Sequence, residues 1–247
     1  MVITLITLIP SIVIFFYIRQ KDSYWKEKPK KLIQDIVVLM VTLLTVNILA
    51  DIIFEMSIFK LFMTPFPEES KMYNFAHNFI SIALPEELLK YVVLLLTTWK
   101  SPAFSHKFDG IVFAVLSSLA FATEENLIYM TSHTTSIMIL RAVMTVPFHA
   151  TNGVFMGIFY TKAKQASLQN QKRSMFLNLL ISLLLPVILH GFYDFFVLGI
   201  TDTAVKVLAS MMFAAGEIGM AIYFICKESK NNAFLIEPQE IETSFEI

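Results

Sequence analysis

Long apolar runs dominate the chain, and this pattern restricts its fold more than any other feature. An α-helix rises about 1.5 Å per residue, so a run of about 20 apolar residues matches the hydrocarbon thickness of a bilayer. We find seven such runs, at 2–18, 32–54, 72–98, 108–130, 137–161, 175–197 and 204–225. The sequence therefore predicts an all-α fold, a polytopic bundle of about seven transmembrane helices.

Composition supports a membrane protein with one folded unit. Of the 247 residues, 56% are hydrophobic and 16% are charged, which leaves too little polar surface to cover a soluble globule. We expect a single transmembrane domain over residues 1–226 and an acidic cytoplasmic tail over residues 227–247. The net charge of −1 gives no indication of a nucleic-acid partner, and the single cysteine, Cys226, excludes an intrachain disulfide.

The placement of basic residues predicts the orientation in the cell membrane. The connections at 19–31, 99–107 and 162–174, together with the tail after residue 226, hold most of the 19 Lys and Arg residues. Basic connections stay in the cytoplasm, because the positive-inside rule governs short loops. The sequence therefore predicts an N-terminus outside the cell and a C-terminus in the cytoplasm.

Several ionisable residues interrupt these apolar runs. A charged side chain in the hydrocarbon layer costs several kcal/mol unless it is paired or hydrated, so such residues indicate a functional site. At about 1.5 Å per residue, six of them fall at one depth, near the middle or in the outer half of the third to sixth runs. These candidate catalytic residues are Glu86, Glu87, Glu125, His149, His190 and Asp194. We expect them to surround a pocket in the extracytoplasmic half of the bilayer.

Spacing within the runs predicts how these residues are used. Glu86 and Lys90 are four residues apart, which predicts an ion pair along one helix face. Glu87 then points about 100° away, toward the pocket, where it could serve as a general base. His190 and Asp194 are also one turn apart, which indicates either an imidazole oriented by a carboxylate or two ligands of one metal ion.

Arg141 and Glu217 also lie in the apolar runs, outside this group. Arg141 falls near the outer end of the fifth run, and we expect its side chain to extend to the membrane surface. Glu217 lies in the seventh run. The sequence predicts no role for Glu217.

Four segments, in this order, resemble the PrsW family of intramembrane proteases. They are Glu86-Glu87-x-x-Lys90, Phe121-x-x-x-Glu125-Asn126-x-x-Tyr129, the stretch from Arg141 to His149, and His190-Gly191-x-Tyr193-Asp194. This family belongs to a wider group that includes CAAX-prenyl endopeptidases and bacteriocin-processing enzymes. The resemblance implies site-1 cleavage of a single-span membrane protein on its extracytoplasmic side, with an anti-sigma factor as the type of substrate. We expect Lys90 and Asn126 to support the site.

Peptide hydrolysis at this site needs an activated water molecule. The sequence has no Gly-x-Ser-x-Gly motif and no cysteine in the cluster, so a covalent mechanism is disfavoured. In a glutamate-type mechanism, Glu86 or Glu87 deprotonates the water. The substrate carbonyl is polarised by one of two pairs, His190 with Asp194 or Glu125 with His149.

A metal-dependent mechanism is the alternative. In that mechanism, Zn²⁺ is held by His149, His190 and a carboxylate from Glu87 or Glu125. The His-Glu-x-x-His motif of many zinc proteases is missing from the sequence. Because Lys90 would repel a cation, the expectation favours catalysis without a cofactor, and Zn²⁺ remains the alternative.

Two other function classes use intramembrane ionisable residues. One is an ion- or proton-coupled transporter, which would often contain an inverted repeat. The other is a noncatalytic membrane chaperone or immunity protein built on the same scaffold. The sequence contains no internal repeat, which argues against the transporter.

Overall fold

The computed structural model describes residues 2–53, 67, 70–130, 134–198 and 203–235, and all statements of structure below refer to them. The described residues are helical throughout the predicted runs and form no β-strand. The long helices are α1 (Val2–Lys21), α2 (Lys30–Ile53), α4 (Leu84–Thr98), α5 (Asp109–Tyr129), α6 (Thr135–Leu168), α7 (Lys172–Leu198) and α8 (Thr203–Lys230). A short helix, α3 (Lys71–Ala76), precedes α4.

Membrane-spanning length and apolarity are met by four helices of the described part of the chain. They cover Asp109–Tyr129, Thr135–Leu168, Lys172–Val197 and Ala204–Lys230. The all-α prediction is therefore confirmed. The predicted total of about seven spans and the predicted orientation of the termini stay predictions.

The third apolar run is helical but changes its winding before the two glutamates. Ser70 caps the start of α3 by accepting a hydrogen bond from the backbone N–H of Tyr73. The chain then forms a π-helical segment over His77–Ala83, where the N–H of Leu84 donates to the carbonyl of Phe79. Because Pro85 has no N–H to donate, it favours such a widened turn just before it. The π-helical segment therefore sets the rotation of the residues that follow.

Helix α6 is the central element and packs most closely against α5 and α7. Small residues allow the close approach to α5, since a Cβ on Gly157 would lie 2.5 Å from the carbonyl oxygen of Gly110. A Cβ on Gly153 would lie 2.9 Å from the carbonyl oxygen of Ala114. Close backbone contact of this kind is the usual way in which helices associate in a membrane. The α5–α6 pair is thus a tight frame that carries Glu125 and His149.

A buried ion-pair cluster ties together the end of the bundle where α1 finishes and α5 begins. The ammonium of Lys28 lies 2.6 Å from Oδ2 of Asp22 and 2.7 Å from Oδ1 of Asp109. The side chains of all three residues are at most 3% exposed. The other oxygen of Asp109 accepts hydrogen bonds from the backbone N–H groups of Ser105 and His106. This cluster links the α1–α2 connection to the start of α5.

The segment that follows α8 docks onto this same end. Helix α8 continues to Lys230, past the predicted domain boundary at residue 226. Oδ1 of Asn232 then accepts a hydrogen bond from the N–H of Phe108, and the N–H of Leu235 donates to the carbonyl of Ser105. The first residues of the predicted acidic tail are therefore part of the fold. Residues 236–247 of that tail lie outside the described residues.

Candidate active site

Glu87 is the buried centre of the polar cluster. Its Oε1 atom accepts hydrogen bonds from Nζ of Lys90 over 2.7 Å and from Nδ1 of His190 over 2.8 Å. The side chains of Glu87 and Lys90 are 0% exposed. The predicted Glu86–Lys90 pair is therefore wrong, because Lys90 turns to the carboxylate three residues before it. A buried ammonium needs such a partner, and Glu87 is the one that faces the interior.

Glu86 faces a cavity instead. Its side chain is 17% exposed, and its Oε2 atom lies 3.8 Å from Nε2 of His190. That oxygen has no hydrogen-bond partner among the described residues. The positions predicted for Glu86 and Glu87 are thus exchanged. The cause is the rotation of α4, which follows the π-helical segment and directs the first of the two acids toward open space.

His149 connects two parts of the cluster through its two ring nitrogens. Its Nδ1 atom lies 2.9 Å from Nζ of Lys90, and its Nε2 atom lies 3.2 Å from Oε2 of Glu125. An ammonium can only donate, so Nδ1 accepts from Lys90 and the ring proton belongs on Nε2, which donates to Glu125. This arrangement fixes the tautomer of His149.

Arg141 also belongs to this network, contrary to expectation. One guanidinium nitrogen lies 2.8 Å from Oε1 of Glu125, and Nε donates to Oδ1 of Asn126 over 3.2 Å. The guanidinium also lies 4.0 Å from the centre of the Tyr129 ring. The predicted extension of Arg141 to the membrane surface is wrong, because Glu125 offers it a partner inside the bundle. Asn126 contacts the cluster through Arg141, and its supporting role stays a prediction.

His190 and Asp194 form the predicted pair on α7. Nε2 of His190 lies 3.3 Å from Oδ2 of Asp194, one turn further along the helix. Because Nδ1 of His190 faces Glu87, Nε2 is the nitrogen that faces Asp194 and Glu86. Phe148 and Tyr193 stack 4.0 Å apart beside this pair. The structure thus brings all six predicted residues into one connected cluster.

A cavity of about 540 Å³ opens beside the cluster. Its polar lining includes Glu86, Glu125, Arg141, His149, His190, Asp194 and Lys206. Its other walls are largely apolar and include Ile82, Leu140, Met144, Phe148, Val197 and Met211. Glu87 and Lys90 are not part of this lining, so they lie behind the groups that face the cavity. An apolar cavity with a few convergent polar groups is the usual form of a binding site.

Some cavity residues were not among the predicted site residues. Tyr193 lines the cavity and lies three residues after His190, so the helical period could have placed it there. Lys206 and Met211 come from α8, in which no site residue was predicted. No local pattern marks them, because their position depends on how α8 packs against α6 and α7.

The spacing of three side chains suits a metal ion. Glu86, His149 and His190 each offer a ligand atom, and these atoms lie within 4.8 Å of one another. This set contains Glu86 in place of the predicted Glu87 or Glu125. The partners of His149 fit a cation poorly, since both of its nitrogens already have partners and one of these partners is the Lys90 ammonium. A cation at this place would have to displace the proton on Nε2 of His149 and tolerate the ammonium on the other side of the ring.

Comparison with known proteins gives a consistent family. A sequence profile described as "PrsW family intramembrane metalloprotease" matches residues 32–224. The protein called Protease PrsW from Clostridioides difficile (strain 630) is 29% identical over 195 residues, which cover 77% of each chain. No solved structure matches this chain.

Two further relatives are more similar over shorter stretches. Protease PrsW of Oceanobacillus iheyensis is 38% identical over 128 residues, which cover 52% of this chain and 57% of the relative. Protease PrsW of Bacillus subtilis (strain 168) is 34% identical over 140 residues, which cover 57% of this chain and 62% of the relative. These two alignments span less than two thirds of the relatives' length.

Proposed function

The chain belongs to the PrsW family of intramembrane proteases, and on that premise we propose that it cuts a single-span membrane protein near its extracytoplasmic side. It is a multi-pass membrane protein whose family acts on membrane proteins within the bilayer. The proposed reaction is site-1 cleavage with an anti-sigma factor as the type of substrate. Family membership favours this reaction over the transporter and chaperone alternatives.

One observation carries the proposed mechanism. Of Glu86 and Glu87, Glu86 is the one that lines the cavity: its side chain is 17% exposed, and its buried Oε2 atom has no hydrogen-bond partner within the described residues. A carboxylate in that position can accept a proton from a water molecule in the cavity. Glu87 is unsuited to this role, because its Oε1 atom serves Lys90 and His190 and it does not reach the cavity.

The proposed hydrolysis uses water as the nucleophile and forms no covalent enzyme intermediate. Glu86 takes one proton from water, and the resulting hydroxide attacks the carbonyl carbon of the scissile peptide bond. When the C–N bond breaks, the amine nitrogen receives that proton from Glu86, so the carboxylate is regenerated. His190, held by Glu87 and Asp194, lies next to Glu86 and positions the attacking water.

Charge develops on the substrate carbonyl oxygen during this attack. The cavity offers the guanidinium of Arg141 as a donor for that oxygen, whereas the ring N–H of His149 is used by Glu125. Glu125 also holds the guanidinium in place, so it needs little reorganisation during the reaction. The mechanism therefore uses residues of this chain alone, in agreement with the unfavourable surroundings for a cation.

Purified protein in detergent, incubated with a single-span reporter, tests the proposal. We expect wild-type protein to cut the reporter on its extracytoplasmic side, as mapped by mass spectrometry of the products. Glu86→Gln should abolish cleavage, because an amide cannot accept the proton from water. Glu124→Gln is the matched control, since Glu124 lines a groove between α1, α2 and α5 and not the cavity. Cleavage by Glu86→Gln at the wild-type rate would contradict the mechanism, and products cut on the cytoplasmic side would contradict site-1 cleavage.

A further inference from the structure

Glu217 is a buried acid that the mechanism above does not use. It lies in α8, is 2% exposed, and neither of its carboxyl oxygens has a hydrogen-bond partner in the part of the chain that the structure describes. Buried polar groups without a partner are rare, because losing water without a replacement costs about 1–3 kcal/mol. A buried acid that has this cost and makes no stabilising hydrogen bond is expected to have a functional role.

The helical period directs Glu217 toward the site. Ser210, Ala214, Glu217 and Ala221 recur at three- and four-residue intervals and are all buried, so they form the inner face of α8. Ser210 lines the cavity, and Ala214 packs with Phe148 and Tyr193. Glu217 follows one turn further along this face. At about 1.5 Å per residue it is about 10 Å deeper than Ser210.

Glu217 lies close to the buried side of the catalytic cluster. Ala214, one turn before it, packs with Phe148, and the ring centres of Phe148 and His190 lie 5.4 Å apart. Glu217 does not line the cavity, in contrast to Glu86. Glu217 therefore lies one turn from the residues that pack on His190, outside the cavity.

Glu87 also has a carboxyl oxygen without a partner. Its Oε1 atom accepts two hydrogen bonds, whereas Oε2 is buried and has no partner among the described side chains and backbone groups. Three buried carboxyl oxygens of Glu87 and Glu217 thus lack donors among the described residues. Water is the molecule that usually satisfies such groups, because it can donate two hydrogen bonds and accept others.

We propose that Glu217 is a positioning residue of the active site, which holds ordered water against Oε2 of Glu87 and so fixes the Glu87–His190 pair from the α8 side. The inference rests on the proposed peptide hydrolysis. With both oxygens of Glu87 bound, its carboxylate cannot rotate, and Nε2 of His190 stays directed at Glu86. Residues of α8 would then belong to the site in two ways, through this water and as part of the cavity wall.

The test compares three variants with wild-type protein in the reporter assay. Glu217→Leu keeps the size and removes hydrogen bonding, and we expect kcat to fall about tenfold or more with KM unchanged. Glu217→Gln keeps hydrogen bonding, and we expect it to retain most of the wild-type kcat. Glu124→Leu removes another carboxyl with an unpartnered oxygen, one that lines the groove between α1, α2 and α5 and not the cavity, and it should leave kcat unchanged.

Thermal unfolding in the same detergent separates positioning from structural support. Removing a buried, unpartnered carboxyl should leave the melting temperature of Glu217→Leu equal to or above that of wild type, while its kcat falls. A lower melting temperature together with lower activity would assign Glu217 a structural role and overturn the inference. Wild-type kcat in Glu217→Leu, or equal loss in Glu217→Gln, would overturn it too.

The proposed function and this inference fail in different ways. An intact reporter after incubation with wild-type protein would count against hydrolysis itself. Cleavage by wild type, its loss in Glu86→Gln and undiminished cleavage by Glu217→Leu would count against Glu217 alone.

Discussion

Oε1 of Glu87 and Nδ1 of His190 are 2.8 Å apart, and this hydrogen bond joins α4 to α7 at the centre of the site. A histidine that donates one ring N–H to a carboxylate has a fixed tautomer and ring orientation. Its other nitrogen is then held toward the cavity, beside Glu86. The two adjacent glutamates consequently have different surroundings, Glu87 within the buried framework and Glu86 at the cavity.

This difference predicts different results for the two matched substitutions. Glu87→Gln leaves the buried Lys90 ammonium without a charged partner, and we expect it to lower the free energy of unfolding by about 3–5 kcal/mol. Glu86→Gln alters a cavity-lining group, so we expect a change within about 0.5 kcal/mol together with loss of cleavage. Denaturation in detergent, monitored by circular dichroism, checks both values. Equal stability of the two variants would contradict the assigned division of tasks.

Arg141 and Glu125 should behave as a unit toward His149. We expect Arg141→Gln and Glu125→Gln each to lower kcat about tenfold, because each removes support for the tautomer and position of His149. The double variant should be no worse than the more impaired single variant, since both changes disrupt one chain of contacts. Reporter kinetics on wild type, the two single variants and the double variant measure the coupling between Arg141 and Glu125. If the fold-loss of kcat in the double variant equals the product of the losses in the two single variants, the two residues act independently.

Removal of metal ions should leave cleavage intact. The Lys90 ammonium lies 2.9 Å from Nδ1 of His149, which opposes a cation at the neighbouring nitrogen. We expect kcat after exhaustive chelation to remain within about twofold of the untreated value, with metal content measured by plasma mass spectrometry. A zinc protease treated in parallel shows that chelation was effective. Loss of activity that Zn²⁺ restores would instead make Glu86, His149 and His190 metal ligands.

The buried ion pairs at the other end of the bundle should contribute strongly to stability. Lys28→Ala leaves Asp22 and Asp109 as two neighbouring buried carboxylates. We expect this variant to lower the free energy of unfolding by about 3–5 kcal/mol. The control is Lys31→Ala, because the Lys31–Asp35 pair is 81% and 49% exposed and should contribute less than about 0.5 kcal/mol. Urea denaturation in detergent measures both. Similar losses in the two variants would show that burial does not strengthen the Lys28 cluster.

The depth of the site residues in the bilayer was predictable from the sequence, whereas the rotation of each helix about its own axis was not. A constant rise per residue placed Glu87, His149 and His190 at one level before any contact was known, and the structure joins them. The side of the helix that each glutamate faces depends on the π-helical turn over His77–Ala83, which no apolar pattern reveals. The rotation error follows directly from that turn.

Contacts between distant parts of the chain were also not predictable from the sequence. Arg141 binds Glu125 because α5 and α6 pack at a particular offset, and Asn232 reaches Phe108 because α8 ends beside the start of α5. Neither offset follows from local periodicity. Short-range spacing therefore predicts which helices carry polar groups, whereas partner choice is determined by packing.

Gly191 provides the last prediction, since it allows the π-helical segment to pack beside His190. A Cβ on residue 191 would lie 2.6 Å from Cγ of Phe79 and 2.7 Å from another carbon of the same ring. Phe79 belongs to the π-helical segment and also stacks on Phe75 at 4.2 Å, so it has little room to move. We expect Gly191→Ala to displace this segment, and with it Glu86, and to lower kcat about tenfold or more. Gly219→Ala is the control, because a Cβ there meets no atom within 4 Å.

A compensating change makes this prediction specific to the Phe79 contact. Phe79→Leu shortens the side chain that the new methyl group meets, so the double variant Gly191→Ala/Phe79→Leu should recover part of the lost kcat. Reporter kinetics on the single and double variants, with melting temperatures as a check on folding, provide the measurement. If the double variant is as slow as Gly191→Ala, the loss does not arise from the ring of Phe79, and the π-helical segment does not position Glu86 through this contact.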